Sequence, residues 1–565
     1  MDSVRITDHR ILVLVLVTLL VVSGTASVVG FAASAGSADQ TTPQQSHAGN
    51  LSNPSALADA NATFLGNATN ETAGYDVASG DVNNDSHRDV LIAAPAAENE
   101  SNRSTGTVYL FYGPIDEREL DVDEADVTFS GVPGDDTGWD IATGNLTGNG
   151  YNDIVIGAPR SDRGGAESGA VYIVEGDDHL PEYVNLSTDA DAVYYGPDSS
   201  DRAGHSVATV AMNDSDGVSA ESDGYDVKTD RRVSEDPDAL LVGAPYNDST
   251  ADRSGAVYLV SNVTLGEHSL NDTAAVTYLG VGEGDRAGWD VGEAGDVNSD
   301  GRSEIIVGAP FNGTNGTEYG AAYVLPTEFD EWSNAEESAD ANEPISVSEG
   351  LTLEGISDGD RAGFSVSMAG NTLADDWYTL ERKAADERGG EVLIGAPYND
   401  SVGNDSGAVY VVRPGKNLTG NASLADANVT LYGEAEDDRA GWNVAGGDEL
   451  ICNGYDDILV GAPFNSSSAS DTGAAYVVTG GLEAGERNLT GADGKLEGEN
   501  KSDRAGWAVA PVGDVTGDEK ADVLVGAPLK DSPMTDAGAV YLVAGDCSVK
   551  PKDEDKDKDR DKDKD

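Results

Sequence analysis

The chain is poor in basic residues. It carries 34 Lys and Arg against 103 Asp and Glu in 565 residues, a formal charge of −69 at pH 7. A surface with so few cations repels phosphate groups, which disfavours nucleic acid and anionic membranes as partners. Such a chain also repels itself at low ionic strength and tolerates its charge when the Debye length falls to about 3 Å near 1 M salt. The composition therefore predicts a protein of a high-salt environment.

Histidine is also scarce. The six histidines lie far apart along the chain, and no acid, base and nucleophile can be assigned to one pocket from them. A pair of glycosidase carboxylates could be present, but in so acidic a chain a pair carries almost no information. These observations predict that the protein is not an enzyme. The histidines are His9, His47, His87, His179, His205 and His268.

What the chain has in abundance is repetition. A tripeptide of the Gly-Ala-Pro type follows a short apolar run seven times, mostly about 65 residues apart. Two wider gaps indicate insertions in surface loops, around 213–238 and 372–390. The sequence is therefore one unit used seven times. The prolines are Pro95, Pro159, Pro245, Pro310, Pro397, Pro463 and Pro528.

Each unit reads as four β-strands. In the fourth unit the landmarks are VTYLG (276–280), DRAGWDV (285–291), an acidic stretch leading to IIVGAP (305–310), and GAAYV (320–324). The apolar runs are short, β-branched and bounded by Gly, Pro, Asn or Asp, which is typical of strands. One sheet cannot bury both of its faces, whereas sheets packed radially can. The predicted fold is all-β, a seven-bladed β-propeller of four-stranded antiparallel blades.

Two further features concern the ring. An aromatic residue follows a Gly in every unit, and we interpret these side chains as packing between blades. The first unit is preceded by a spare strand, ATFLG (62–66), while the last unit lacks its outer strand. We therefore predict that this N-terminal strand closes the seventh blade. The aromatic positions are Tyr75, Trp139, His205, Trp289, Phe364, Trp442 and Trp507.

Taken together, the Gly-aromatic strand, the DxNxDGxxE loop and the GAP turn resemble the FG-GAP repeats of the integrin α-subunit N-terminal propeller. The resemblance covers about 61–546. It implies the same fold and a surface adhesion function. The chain departs from the pattern because Ala or Thr replaces the Phe of Phe-Gly, and nothing corresponds to the later integrin domains.

Three acidic loops predict calcium sites. Oxygen side chains alternate at the first, third, fifth and ninth positions, and the seventh residue offers its backbone carbonyl. This spacing wraps hard oxygen ligands around one Ca²⁺ ion. The loops are Asp81, Asn83, Asp85, His87 and Asp89; Asp296, Asn298, Asp300, Arg302 and Glu304; and Asp514, Thr516, Asp518, Lys520 and Asp522.

The remaining loops are weaker candidates. The second unit has one formal carboxylate, and we expect looser binding there. The sixth unit has an apolar residue at a ligand position, and we expect no metal. The third and fifth units have lost the pattern. The alternative for all of these loops is that Asp, Asn and Gly simply form turns. The second loop comprises Asn145, Thr147, Asn149, Tyr151 and Asp153, and the sixth Glu449, Ile451, Asn453 and Asp457.

The termini indicate export. Arg5 and Arg10 precede an apolar run from Ile11 to Val22 and then small residues, which reads as a signal peptide or an uncleaved N-terminal membrane anchor. Many Asn-x-Ser/Thr sequons, among them Asn61 and Asn185, fit a glycosylated surface protein. The predicted organisation is a signal or anchor over 1–38, a linker over 39–60, the propeller over 61–546 and a disordered charged tail over 547–565.

The chain has two cysteines, Cys452 in the sixth loop and Cys547 after the last strand. Adjacent blades could bring them together on one rim, so a disulfide and two thiols both remain open.

Two function classes remain. The preferred one is an exported, Ca²⁺-stabilised interaction or adhesion module that binds a protein or glycan ligand at the cell surface. In it, the face with the GAP turns presents the binding loops. The alternative is a secreted hydrolase of the phospholipase or glycan-degrading type. The sequence does not indicate the ligand or the oligomeric state.

Overall fold

The computed structural model describes residues 51, 55–97, 104–116, 118–212, 237–313, 316–327, 344–374, 390–531 and 534–545. The predicted signal segment, the cores of both insertions, Cys547 and the charged tail lie outside these residues. Within the described residues, no helix has the length and apolar character needed to cross a bilayer.

The described chain forms seven β-sheets, the blades, numbered here by the order of their inner strands. In each blade four strands pair antiparallel from the axis outwards. The inner strands are Asp76–Gly80, Ile141–Gly144, Ser206–Val210, Val291–Gly295, Ser365–Gly370, Val444–Asp448 and Val509–Pro511. The second strands are Asp89–Ala94, Asp153–Ala158, Ala239–Ala244, Glu304–Ala309, Glu391–Ala396, Asp457–Ala462 and Val523–Ala527.

The third and outer strands complete the antiparallel part of each blade. The third strands are Thr107–Phe111, Ala170–Val174, Ala256–Val260, Ala321–Leu325, Ala408–Val412, Ala474–Val478 and Ala539–Val543. In blades 1 to 6 the outer strands are Val127–Ser130, Ala192–Tyr195, Val276–Leu279, Leu351–Glu354, Val429–Tyr432 and Gly494–Glu497. In blade 7 the outer strand is Ala62–Leu65, which pairs with Ala539–Leu542.

Every blade also has a fifth strand, which the four-stranded prediction did not include. This edge strand is short, pairs in parallel with the outer strand, and comes from the segment that leads into the next blade's outer strand. It covers backbone groups that an open edge would expose. In blades 1 to 7 the edge strands are Tyr183–Asn185, Gly266–Ser269, Ile345–Ser346, Gly420–Ser423, Gly485–Asn488, Ser55–Ala56 and Glu119–Asp121.

A single helical turn follows each edge strand. Its first residue is Leu or Val in every case and is at most 2% exposed, so each turn pins the crossover between blades to the core. The turns are Leu57–Asp59, Val122–Glu124, Leu186–Asp189, Leu270–Thr273, Val347–Glu349, Leu424–Asp426 and Leu489–Gly491. Leu51 and residues 55–60, assigned to the linker by sequence, are thus part of the propeller.

The core lies between the blades rather than inside any one of them. Seven apolar clusters occur, one at each interface between neighbouring blades. One of them joins Phe64 and Leu524 of blade 7 to Val90 of blade 1. The seven interfaces therefore form a closed ring, and the fold is a seven-bladed β-propeller.

The hairpins divide the molecule into two rims. The turns between inner and second strands, which include the predicted metal loops, lie on one rim, called here the hairpin rim. The GAP turns between second and third strands lie on the opposite rim, called here the GAP rim. This placement follows from the antiparallel pairing of successive strands.

Candidate metal loops and the opposite rim

Five loops of the hairpin rim share one backbone conformation. Their fourth and sixth residues have positive φ in every case, although only some are glycine. In the first loop, the N–H groups of Asp85 and Ser86 donate to the two carboxylate oxygens of Asp81 at 3.0 Å. The equivalent bonds recur at Asp296 and at Asp514. The fourth and sixth residues are Asn84, Ser86, Gly148, Gly150, Ser299, Gly301, Cys452, Gly454, Gly517 and Glu519.

The ninth residue of each loop is a buried carboxylate held by backbone donors. Asp89 accepts from Val82 N at 2.8 Å and from Gly113 N at 2.9 Å. Through these bonds it ties the loop to the end of the third strand. The same double contact is made by Asp153, Asp457 and Asp522.

Burial makes these carboxylates weak acids. It raises the pKa of Asp89 to about 7, and the charges of Asp81 and Asp85 add to the rise. Burial raises the pKa of Glu304 to about 8, again with two neighbouring carboxylates, Asp300 and Asp296, contributing. A bound cation would favour the ionised form and reverse this shift.

In the first, fourth and seventh loops, side chains of the loop donate hydrogen bonds to carboxylates that were predicted to bind the metal. The amide of Asn298 donates to Asp300 Oδ2 at 2.9 Å and to Glu304 Oε1 at 2.7 Å. Lys520 Nζ donates to Asp518 Oδ2 at 2.9 Å. Among the described residues, no group of three or more His, Cys, Asp or Glu side chains is arranged as a metal site.

The chemistry of the donor set nevertheless suits a hard cation. In the first, fourth and seventh loops, the side chains at the first, third, fifth and ninth positions all present oxygen, which is the ligand atom that Ca²⁺ prefers. In the seventh loop, Thr516 Oγ1 at the third position is buried and has no hydrogen-bond partner. A buried hydroxyl without a partner is unfavourable by about 1–3 kcal/mol, and a cation in the loop would satisfy it.

The sixth loop has the same backbone conformation but lacks an oxygen side chain at its third position. Its third residue, Ile451, is 4% exposed and belongs to an apolar cluster. Cys452 is disulfide-bonded, while Cys547, the only other cysteine, lies outside the described residues. Apolar packing and a covalent bond therefore hold this hairpin, and the backbone conformation by itself does not demand a metal.

The aromatic residues after the Gly of each unit form a closed ring on the GAP rim. Each side chain contacts its two neighbours, with ring centroids between 4.6 and 5.8 Å apart. The ring includes His205, whose pKa burial lowers to about 4 and whose Nδ1 lies 3.0 Å from the carbonyl of Trp289. The interpretation of these side chains as interblade packing agrees with this geometry.

The residue that follows each of these aromatic residues in the sequence links its blade to the next blade. In six of the seven interfaces its side-chain oxygen accepts from a backbone N–H of the following inner strand, at 2.6 to 3.1 Å. Between blades 7 and 1 the position is Ala508, which offers no acceptor. These residues, called here the axial latches, are Asp76, Asp140, Ser206, Asp290, Ser365 and Asn443.

The axial latches and the aromatic ring line a cavity of about 130 Å³. Burial raises the pKa of Asp76 to about 6 and that of Asp290 to about 7, and it also raises the pKa of Asp140. Sequence reasoning missed the latches because an acid, a hydroxyl and an amide share the position. Aligning the repeats on their aromatic residue shows the common acceptor.

Four segments of the chain match the FG-GAP repeat, namely 73–111, 137–174, 288–325 and 505–543. They lie in blades 1, 2, 4 and 7, whose loops have oxygen-bearing side chains at the first, third, fifth and ninth positions. The resemblance to integrin-type propellers drawn from the sequence is thereby confirmed.

Relatives come from two kinds of protein. The chain is 24% identical over 379 residues, 65% of its length, to phosphatidylinositol-glycan-specific phospholipase D of Dictyostelium discoideum. It is 30% identical over 191 residues (32% of the chain) to the phospholipase of the same name from Bos taurus, and 30% over 192 residues (33%) to integrin alpha-5 of Xenopus laevis. The matches span 36%, 20% and 15% of these relatives, so the chain covers well under two thirds of each.

The prediction that the protein is not an enzyme is wrong by this comparison, because several relatives carry the name of a phospholipase. The prediction rested on scattered histidines. A catalytic group can equally be one of the many carboxylates, and their abundance hides any such pair in the sequence.

Proposed function

We propose that this FG-GAP repeat protein is an extracellular interaction module, built on a propeller whose hairpin rim is stabilised by Ca²⁺. The observation that carries the proposal is the difference between the rims of a closed ring. One rim has repeated oxygen-rich loops, and the other exposes half-buried aromatic and charged side chains. The names of the integrin relatives support a role in binding.

In this proposal Ca²⁺ is bound by the loops of blades 1, 4 and 7, and more weakly by that of blade 2. The ligands would be the first-, third-, fifth- and ninth-position oxygens with the seventh-position carbonyl. A ligand that binds only the folded state stabilises it by about 2.7 kcal/mol when its concentration is 100 times Kd. The role of the ion is structural, and the hairpins would be ordered by it.

The charge of −69 supports a high-salt setting. Screening reduces repulsion between surface carboxylates, so we expect the melting temperature to rise between 0.1 and 1 M KCl. A melting temperature that falls or stays constant over this range would contradict this part of the proposal.

The test of the binding function is a screen of the folded protein against arrays of extracellular proteins and glycans in 1 M KCl, with and without chelator. We expect saturable binding to at least one class of ligand and its loss on chelation. A protein that is folded and calcium-loaded but binds nothing on either array would contradict an interaction role.

The phospholipase relatives favour a second candidate, a secreted hydrolase in which the same propeller takes part. The test is incubation with a phosphatidylinositol-glycan-anchored substrate, followed by measurement of released phosphatidic acid. Release that depends on protein concentration would support the hydrolase, whereas no release under calcium-loaded, high-salt conditions would count against it.

A further inference from the structure

A row of arginines and aromatic rings lies on the GAP rim of blades 3 to 7. Each arginine follows a buried aspartate and precedes the Ala-Gly-aromatic sequence of its blade, and each has a positive φ between 54° and 57°. Each ring follows a GAP turn. The arginines are Arg202, Arg286, Arg361, Arg439 and Arg504, and the rings are Tyr246, Phe311, Tyr398 and Phe464. Together they are called here the arginine arc.

The two kinds of side chain alternate. Tyr246 lies between Arg202 and Arg286, whose guanidinium carbons are 4.5 and 4.9 Å from its ring centroid. Phe311 lies between Arg286 and Arg361 at 4.1 and 4.8 Å. Because guanidinium groups contact the rings in this way, the rings are poorly placed to stack on a neutral sugar. The groups left to interact with a ligand are guanidinium N–H donors.

Part of this donor capacity is unused. Carboxylates pair with Arg202, Arg361 and Arg439, whose side chains are still 26 to 30% exposed. Among the described residues, no ion pair within 4 Å is formed by Arg286 or Arg504, although the charge of Glu318 acts on Arg286. The Nε atoms of Arg286, Arg439 and Arg504 are buried without an acceptor and are closed to an outside ligand. Arg286 and Arg504 are half-buried, so the donors that they leave for an outside carboxylate are their terminal Nη groups.

The arc is confined to part of the rim. Blades 1 and 2 have Thr72 and Asp136 at the arginine position, and Ala96 and Arg160 at the ring position. Exposed apolar side chains, Val281, Ile356 and Val402, lie on loops of the same rim in blades 3 to 5 and are 42 to 48% exposed. A ligand that matches both features carries repeated carboxylates with apolar groups between them.

We propose that the arginine arc is a binding site for an acidic, extended polypeptide segment of a protein partner. Carboxylates of the segment would each accept two hydrogen bonds from a guanidinium group, and its apolar side chains would lie on the exposed valine and isoleucine positions. The inference rests on the proposed function as an interaction module and names the ligand class for the GAP rim. Short-range contacts of this kind persist at high salt, where the repulsion from the net charge is screened.

The test is fluorescence anisotropy in 1 M KCl with a labelled peptide of about twelve residues that repeats Asp-Val-Asp-Ser, about 40 Å long when extended. The control peptide has Asn at every Asp. We expect saturable binding of the acidic peptide alone, and binding at least about tenfold weaker in the double variant Arg286→Gln/Arg504→Gln. Arg160→Gln is the matched control variant, since Arg160 lies on the same rim outside the arc and pairs with Asp136 at 3.1 Å.

Equal binding by wild type and the double variant would overturn the proposal, and so would absence of acidic-peptide binding. Equal or tighter binding of polygalacturonate would overturn the choice of a polypeptide in favour of an acidic glycan. If the glutamine variant does not fold, Arg286→Lys/Arg504→Lys keeps the charge and removes the planar two-point contact, and we expect weaker binding there too.

Hydrogen exchange of the wild type supplies an independent readout. Added acidic peptide is expected to protect residues 280–289 and 498–507, and protection confined to the hairpin rim would contradict the site. A calcium titration of the same samples separates the two proposals, because it tests stabilisation of the hairpin rim whether or not the peptide binds.

Discussion

The two rims of the propeller are held in different ways. On the hairpin rim, five loops share one backbone trace but not one set of ligands, and the sixth loop keeps the trace with Ile451 and a disulfide-bonded Cys452 in it. On the GAP rim, packed aromatic side chains close a ring around the axis. The hairpin rim therefore varies in what stabilises it, whereas the GAP rim depends on contacts that every blade must make.

Glycine substitutions give the largest expected difference between the rims. Gly538 has φ +86°, and an added Cβ would lie 2.2 Å from the carbonyl oxygen of Ala73 in the next blade. Gly301 has φ +90° but has no atom within 4 Å of an added Cβ. We expect Gly538→Ala to lower the free energy of unfolding by more than about 3 kcal/mol, and Gly301→Ala by about 1 kcal/mol.

Equilibrium unfolding in urea, with both variants in the same calcium buffer, measures these effects. Equal losses at the two positions would show that the blades do not approach each other at Gly538 as closely as described.

The second comparison uses pH and contrasts the axis with the solvent-exposed surface. Burial raises the pKa of Asp76 to about 6 and that of Asp290 to about 7, from 3.8. Between the ordinary pKa of 3.8 and the raised values, the folded state binds more protons than the unfolded state. The free energy of unfolding therefore increases as the pH falls from about 7 towards 4. His205 has the opposite effect, because burial lowers its pKa from 6.5 to about 4. As the pH falls below about 6.5, the unfolded state gains a proton there first, and this lowers the free energy of unfolding.

We expect the carboxylates to outweigh the single histidine, so the melting temperature in chelator rises by a few degrees from pH 7.5 to pH 5. Asp290→Asn is expected to reduce this rise, and Asp126→Asn, on the outer surface, to leave it unchanged. A melting temperature that falls over this range in wild type would contradict the assignment.

The axial latches give the third comparison, between six interfaces and one. Ser365 Oγ accepts from Val444 N at 3.1 Å, and its loss in Ser365→Ala leaves that N–H without the oxygen, at a cost of about 1 kcal/mol. Ala508→Ser adds an oxygen at the interface between blades 7 and 1, where the latch is missing. We expect a gain of less than about 1 kcal/mol there, measured by thermal unfolding of both variants. A loss in Ala508→Ser equal to that in Ser365→Ala would show that the position does not act as a latch.

Much of the fold could be predicted from the sequence because every blade repeats the same landmarks. The GAP turns, the Gly-aromatic positions and the spare strand at 62–66 together define seven blades and their order. The edge strands could not be predicted in this way. Ser55–Ala56 and Ile345–Ser346 have two residues each, which is too short for a strand pattern, and their pairing is parallel and long-range.

The candidate site was only partly predictable. The nine-residue spacing located the acidic loops. It could not show that Asn298 and Lys520 would each donate to carboxylates predicted as calcium ligands in their own loops. The residues of the arginine arc stand in the sequence motifs DRAG and GAPY or GAPF. Their contact could not be predicted, because it forms only when neighbouring blades place an arginine of one blade beside an aromatic ring of the other. Such a contact comes from packing and not from spacing along the chain.

The most direct test of the contrast between the rims is hydrogen exchange measured in calcium and in chelator at 1 M KCl. We expect chelation to increase exchange in residues 81–89, 296–304 and 514–522, with little change in 449–457 or at the aromatic ring. Replacing Asp85, Asp300 and Asp518 together by Asn should abolish the calcium effect in these three loops, whereas Glu449→Gln should not alter it. Identical exchange in calcium and chelator at 81–89, 296–304 and 514–522, or an equal change at 449–457, would contradict the account.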